Sequence, residues 1–147
     1  MKLLYLFGSG AWKNDRKILK IGYTSDFDNR KTPYYLYNPL GEMLDTREGD
    51  ELDELRIHLR LVDFKVEFLD EWFHAEDEVF RVFKEETYKD MNDWLWEHKS
   101  ETLLYPEMPL PGTMKRELLD QIRKEKGINV VDAQKLLSTP IDLDFLD

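Results

Sequence analysis

The chain has 147 residues, which suits one domain with a modest extension, and its 41% hydrophobic and 13% aromatic content is enough for a core. It has no cysteine, which excludes disulfides, thiolate zinc sites and thiol nucleophiles and fits a reducing compartment. The net charge of −10 argues against simple adhesion to nucleic acid.

That charge is uneven. Residues 1–38 carry seven Lys/Arg against three Asp, a local +4, and the other 109 carry 14 basic against 28 acidic residues, or −14. An anion site is therefore sought in the first segment. The apolar start of "MKLLYLFGSGAW" is too short for a signal peptide, and no run approaches transmembrane length. A cytoplasmic protein with no membrane partner is expected.

In chain order, "KLLYLF" (2–7) and "KILKIGYT" (17–24) read as two strands. "GSGAWKNDR" between them reads as the long loop of an antiparallel hairpin. Ser25 and Asp28 are spaced like a capping box, so a helix starts near Asp26, and Pro33 kinks or divides it. "NPLGE" (38–42) is a turn signal, and "EMLDT" (42–46) reads as a third, short strand.

From Asp50 the pattern is helical, with Leu52, Leu55, Leu59 and Val62 recurring. "FKVEFLDEWF" (64–73) is aromatic and strand-prone. "EDEVFRVFKEETYKDMNDWLWEH" (76–98) reads as one long helix burying Val79, Phe80, Phe83, Met91, Trp94 and Leu95. "LYPEMPLPG" (104–112), with three prolines, marks a boundary. Met114, Leu118, Leu119 and Ile122 then form an amphipathic helix ending at Gly127. "VVDAQKLL" forms a short helix capped by Asp132, before an acidic tail. The expected class is α+β: a small antiparallel sheet of about three strands flanked by helices, with a helical extension. The expected units are residues 1–98, a linker over 99–112, and an extension over 113–147.

Four residues carry chemistry suited to phosphodiester hydrolysis. If the first two strands pair, Tyr5 lies across from Lys20–Tyr23. Arg30 follows the second strand and Glu54 sits on the next helix. A phenol near a cation can serve as a base, and a guanidinium grips phosphate oxygens in a fork. A carboxylate holds Mg²⁺, which keeps most of its waters. Each residue has a plainer reading. Tyr5 is an aromatic strand residue, Lys20 an edge lysine, Arg30 a solvated helix residue, and Glu54 one of an acidic run with Glu48, Glu51 and Asp53.

"LLYLF" followed by "LKIGYTSDFDNR" resembles the paired strands and arginine helix of the GIY-YIG endonuclease superfamily, in its phage and large-virus branch with K-I-G-Y-T. "ELDELRIHLRL" (51–61) resembles that branch's glutamate helix, and "EWF" (71–73) its Glu-Trp-Phe strand. The resemblance spans residues 1–98. It implies that Tyr5 activates or orients the attacking water and that Lys20 lowers the pKa of Tyr5. It further implies that Gly22 admits close approach, Arg30 binds the scissile phosphate, and Glu54 is the lone protein ligand of Mg²⁺ or Mn²⁺. Glu71 is an alternative ligand. Tyr23, Lys13, Lys31 and His58 are the expected nucleic-acid contacts, with His58 one turn after Glu54. The first motif lacks its glycine and isoleucine, and "SGAWKNDR" reads as a loop insertion among the 14 residues between Tyr5 and Lys20.

The sequence thus points to a metal-dependent endonuclease acting on DNA, with a protein partner or second copy engaged through the C-terminal helix. The alternative is a catalytically weak or inactive binding or structural module on the same fold, such as a viral assembly component.

Overall fold

The computed structural model describes residues 2–13, 16–29, 40–67, 69, 71–102 and 112–127. Leu4, Tyr5, Leu6 and Phe7 are each at most 1% exposed. An unbroken apolar run belongs on a strand covered on both faces, and this strand, β1 (Leu3–Lys13), is interior to the sheet. It pairs antiparallel with β2 (Arg16–Thr24) on one side and with β3 (Glu42–Glu48) on the other. β4 (Trp72–His74) adds antiparallel to the far side of β2, giving the order β3-β1-β2-β4. β3 alternates exposed and half-buried residues along "EMLDTRE", and such charge blunts an edge against further pairing. The sheet therefore has four strands, the fourth contributed by "WFH" alone.

The β1–β2 hairpin is longer than the sequence suggests. Lys13 pairs with Arg16 and Trp12 with Lys17, so most of "SGAWKNDR" continues the strands instead of forming a loop. The register shifts between Gly8 and Trp12. Gly10 there has φ +78, and a Cβ on it would lie 2.6 Å from the Leu40 carbonyl oxygen. A bulge with glycine at the left-handed position lets a strand absorb the irregular spacing.

After β2, residues 27–29 are helical and the cap is Asp26, not Ser25. The Asp26 carboxylate accepts from the Asn29 backbone N–H at 3.4 Å and from its side-chain amide at 2.6 Å. Pro33 lies outside the described residues. Helix α1 (Glu51–Arg60) starts at Asp50, whose carboxylate accepts from the N–H groups of Leu52 and Asp53. Asp53 accepts in return from the Asp50 N–H, closing a capping box. A 3-10 turn (Val62–Phe64) and a bridge from Lys65 to Phe73 lead into β4.

The long helix expected over 76–98 is two helices: α2 (Asp77–Glu85) and α3 (Tyr88–Glu97). Glu86 between them is extended, with φ −68 and ψ 131. Thr87 and Asp90 stand at capping-box spacing where the second helix begins, and a distant residue closes the end of the first. The Arg47 guanidinium, from β3, donates to the carbonyls of Phe83 at 2.7 Å and Glu86 at 2.9 Å. It satisfies acceptors that the end of α2 leaves open. Phe80, expected in the core, is 38% exposed, because the face that α2 buries runs through Val79, Val82 and Phe83.

The chain divides into two compact units, Met1–Tyr88 and Lys89–Asp147. In the second, Met91 and Leu95 of α3 and Leu118, Leu119 and Ile122 of α5 (Gly112–Lys126) are buried. The short helix α4 (Lys99–Thr102) lies between them in sequence. The Asn92 amide donates to Glu125 at 2.9 Å, and Lys126 pairs with Asp93. The stretches 104–111 and 128–147 lie outside the described residues. No helix among the described residues is long and apolar enough to cross a membrane.

Arg47→Ala should lower unfolding free energy by about 1.5–3 kcal/mol, the range for hydrogen bonds to a charged group. Equilibrium urea unfolding measures this; an unchanged midpoint would mean that α2 ends without Arg47.

Candidate active site

Strand register settles which side chains share a face. Tyr5 is opposite Gly22, Phe7 opposite Lys20, and Lys20 opposite Trp72. Directly opposed residues project to the same side of a sheet, so Tyr5, Lys20, Gly22 and Trp72 line one face. Tyr23 pairs with Leu4 and projects to the other. A Cβ on Gly22 would lie 2.2 Å from the Tyr5 hydroxyl oxygen and 2.4 Å from the carbon bearing it. The phenol therefore crosses β2 at the only kind of residue that admits it. Tyr5 is only 1% exposed.

The β2–β4 ladder stops at Lys20 and Trp72. At the next residue, the Ile21 N–H donates to the Glu71 carbonyl at 3.1 Å. The Ile21 carbonyl accepts from His58 Nε2 at 2.8 Å. The His58 ring also meets Phe73 edge-on, with centroids 5.2 Å apart.

Three ionisable side chains from separate segments meet at this end of the sheet. Lys20 Nζ is 3.4 Å from Glu71 Oε2, with the lysine side chain 18% and the glutamate side chain 42% exposed. Lys20 also sits 5.9 Å from the Trp72 ring centroid. Burial pushes the Glu54 carboxyl up from the usual 4.5 to about 7. The Glu71 charge and a hydrogen bond with Glu71 add to the rise, Lys20 opposes it, and Glu51 adds a smaller share. Glu71 itself has φ 67, a left-handed backbone that only short polar residues and glycine adopt readily.

Tyr5, Lys20 and Glu54 are thus brought to one region, and Glu71, weighed from sequence only as an alternative metal ligand, is its fourth member. The "EWF" motif was the available signal for it. Tyr23 faces away, and His58 is committed to a backbone carbonyl. Arg30, Lys31 and the Lys13 side chain lie outside the described residues.

The donor chemistry suits a hard divalent cation. Glu54 and Glu71 are partly exposed oxygen donors whose mutual repulsion one lysine offsets incompletely. Among the described residues, no group of three or more His, Cys, Asp or Glu is placed to hold a metal. Water and substrate oxygens would have to complete the coordination, as Mg²⁺ prefers.

The fold and this site define an α+β domain that sets a phenol, a lysine and two carboxyls at the end of a small antiparallel sheet. Residues 2–95 match the T5orf172 domain, and the chain belongs to that family. It is a phage-associated domain found in nucleases. No curated protein and no solved structure matches the chain.

Gly22→Ala should destabilise by about 1–3 kcal/mol through overpacking against the Tyr5 ring. Combined with Tyr5→Ala it should cost less than the two single changes added, since removing the ring frees the space. Strict additivity in thermal or urea unfolding would refute this packing.

The Glu54 shift has a definite sign. Between pH 4.5 and about 7 the folded protein keeps a proton that the unfolded chain releases. Stability therefore falls as pH rises through that window. Glu54→Gln should match wild type near pH 4.5 and be more stable at pH 8, by about 1–2 kcal/mol after allowance for solvent screening. Unfolding curves at the two pH values check this.

Proposed function

We propose that the chain is a metal-dependent endonuclease that hydrolyses DNA phosphodiester bonds at the Tyr5–Lys20–Glu54 site. The observation that carries this reading is the meeting of Lys20, Glu54 and Glu71 at the end of the β2–β4 ladder, next to the Tyr5 phenol that fills the space over Gly22. Glu54, with Glu71 beside it, holds Mg²⁺ or Mn²⁺. The bound ion would supply charge neutralisation at the phosphate and a more acidic water. Binding it requires Glu54 to release its proton, so cation affinity rises with pH. Lys20 supplies fixed positive charge on the same face. The Tyr5 hydroxyl, packed over Gly22, would orient the attacking water, the role the GIY-YIG resemblance gives it. Arg30, which the GIY-YIG resemblance matches to the phosphate-binding arginine, grips the scissile phosphate. Water adds to phosphorus, and the departing oxygen leaves with a proton.

One observation favours a second reading. Tyr5 is sealed from solvent at 1% exposure, as in a packing residue. A binding module with lost catalysis would show the same arrangement.

The test is cleavage of plasmid and branched DNA with Mg²⁺ or Mn²⁺. Wild type should nick DNA only with metal, and Glu54→Ala and Arg30→Ala should each lose about 10²-fold or more in rate. Absence of metal-dependent nicking, or equal nicking by the variants, would leave the binding module as the reading.

A further inference from the structure

We infer that His58 is a positioning residue, holding helix α1 in register on the unpaired end of β2 so that Glu54 faces Lys20 and Glu71. The inference rests on the reading of Glu54 as the metal ligand. In a strand, one residue's N–H and C=O point to the same side. Ile21 lies just past the last β2–β4 pair, so both of its groups point to where β4 would have continued. Such buried groups must find partners. Glu71 takes the N–H through its carbonyl, and His58 takes the carbonyl through Nε2 at 2.8 Å.

Each of these two partners belongs to a segment that delivers a carboxyl to the site. His58 lies one turn after Glu54 on the same helical face. A helix pinned at His58 fixes the height of Glu54 along β2 to within a fraction of a turn. The imidazole is seated further by its edge contact with Phe73, which pairs with Leu19. Because the Ile21 carbonyl can only accept, His58 must carry its proton on Nε2. This role differs from direct contact with phosphate, for which Nε2 would have to leave the strand.

The test uses the full chain and three readouts. In ¹⁵N NMR, His58 should show a protonated, slowly exchanging Nε2. The amide shifts of Lys20, Gly22 and Glu54 should move in His58→Ala and return toward wild type in His58→Gln, whose amide N–H reaches a similar place. Mn²⁺ affinity should fall about tenfold in His58→Ala and stay within about threefold in His58→Gln. In cleavage, His58→Ala should lower kcat by about 10²-fold with little change in KM for DNA. A proton on Nδ1 instead, no recovery in His58→Gln, or a raised KM with unchanged kcat and Mn²⁺ affinity would overturn the proposal; the last would mark a phosphate contact. If wild type binds no Mn²⁺, the metal-site reading fails by itself, while the NMR comparison still decides whether His58 sets the position of Glu54.

Discussion

Strand β2 is hydrogen-bonded along its length by β1 but by β4 for only three residues. Backbone groups just past that short ladder cannot be left dry and unpaired. The molecule answers with one carbonyl and one imidazole, from Glu71 and His58. Both answers draw a carboxyl-bearing segment to the same spot, because Glu71 carries its own and His58 shares a helix face with Glu54. The site is thus a by-product of how an incomplete sheet edge is satisfied. A fourth strand two residues longer would have claimed the Ile21 groups and left α1 without its anchor.

The electrostatics follow from that geometry. One lysine stands against two glutamates, and partial burial magnifies the imbalance. At neutral pH, Glu54 is poised between its charged and neutral forms. The chain's overall acidity does not decide what binds here. What matters locally is that Lys20 and the basic residues of the first 38 share a segment with the glycine that seats the Tyr5 phenol.

Features coded by neighbouring residues were legible from the sequence. The apolar run of β1, the acidic start of α1 near Asp50 and the apolar spacing of Leu118, Leu119 and Ile122 each state their structure within a few positions. Features imposed from afar were not. The hydrogen bonds that Arg47 makes across the break at Glu86 come from 39 residues earlier, and the local sign of a second helix start, Thr87 and Asp90 at capping-box spacing, is outweighed in the one-helix reading by the apolar periodicity around it. The hairpin's extension depends on cross-strand pairing of Trp12 and Lys13, which look like loop beside two glycines. For the candidate site, the family resemblance in "LLYLF", "LKIGYT" and "ELDELRIH" pointed to Tyr5, Lys20 and Glu54, which the fold brings to one region. Glu71 was visible as a letter in "EWF", but its meeting with Lys20 depends on a backbone conformation that no pattern encodes.

Glu71 is the residue where that conformation has its widest consequence. At φ 67, a glycine would rest with less strain, and an L-residue gives up about 1–2 kcal/mol to be there. A domain of this size has few such margins, since its whole net stability is on the order of 5–15 kcal/mol. Selection for robustness alone would drift this position toward glycine or asparagine. A glutamate there marks a place where the protein forgoes resilience to heat and mutation in order to keep an acidic group beside Lys20.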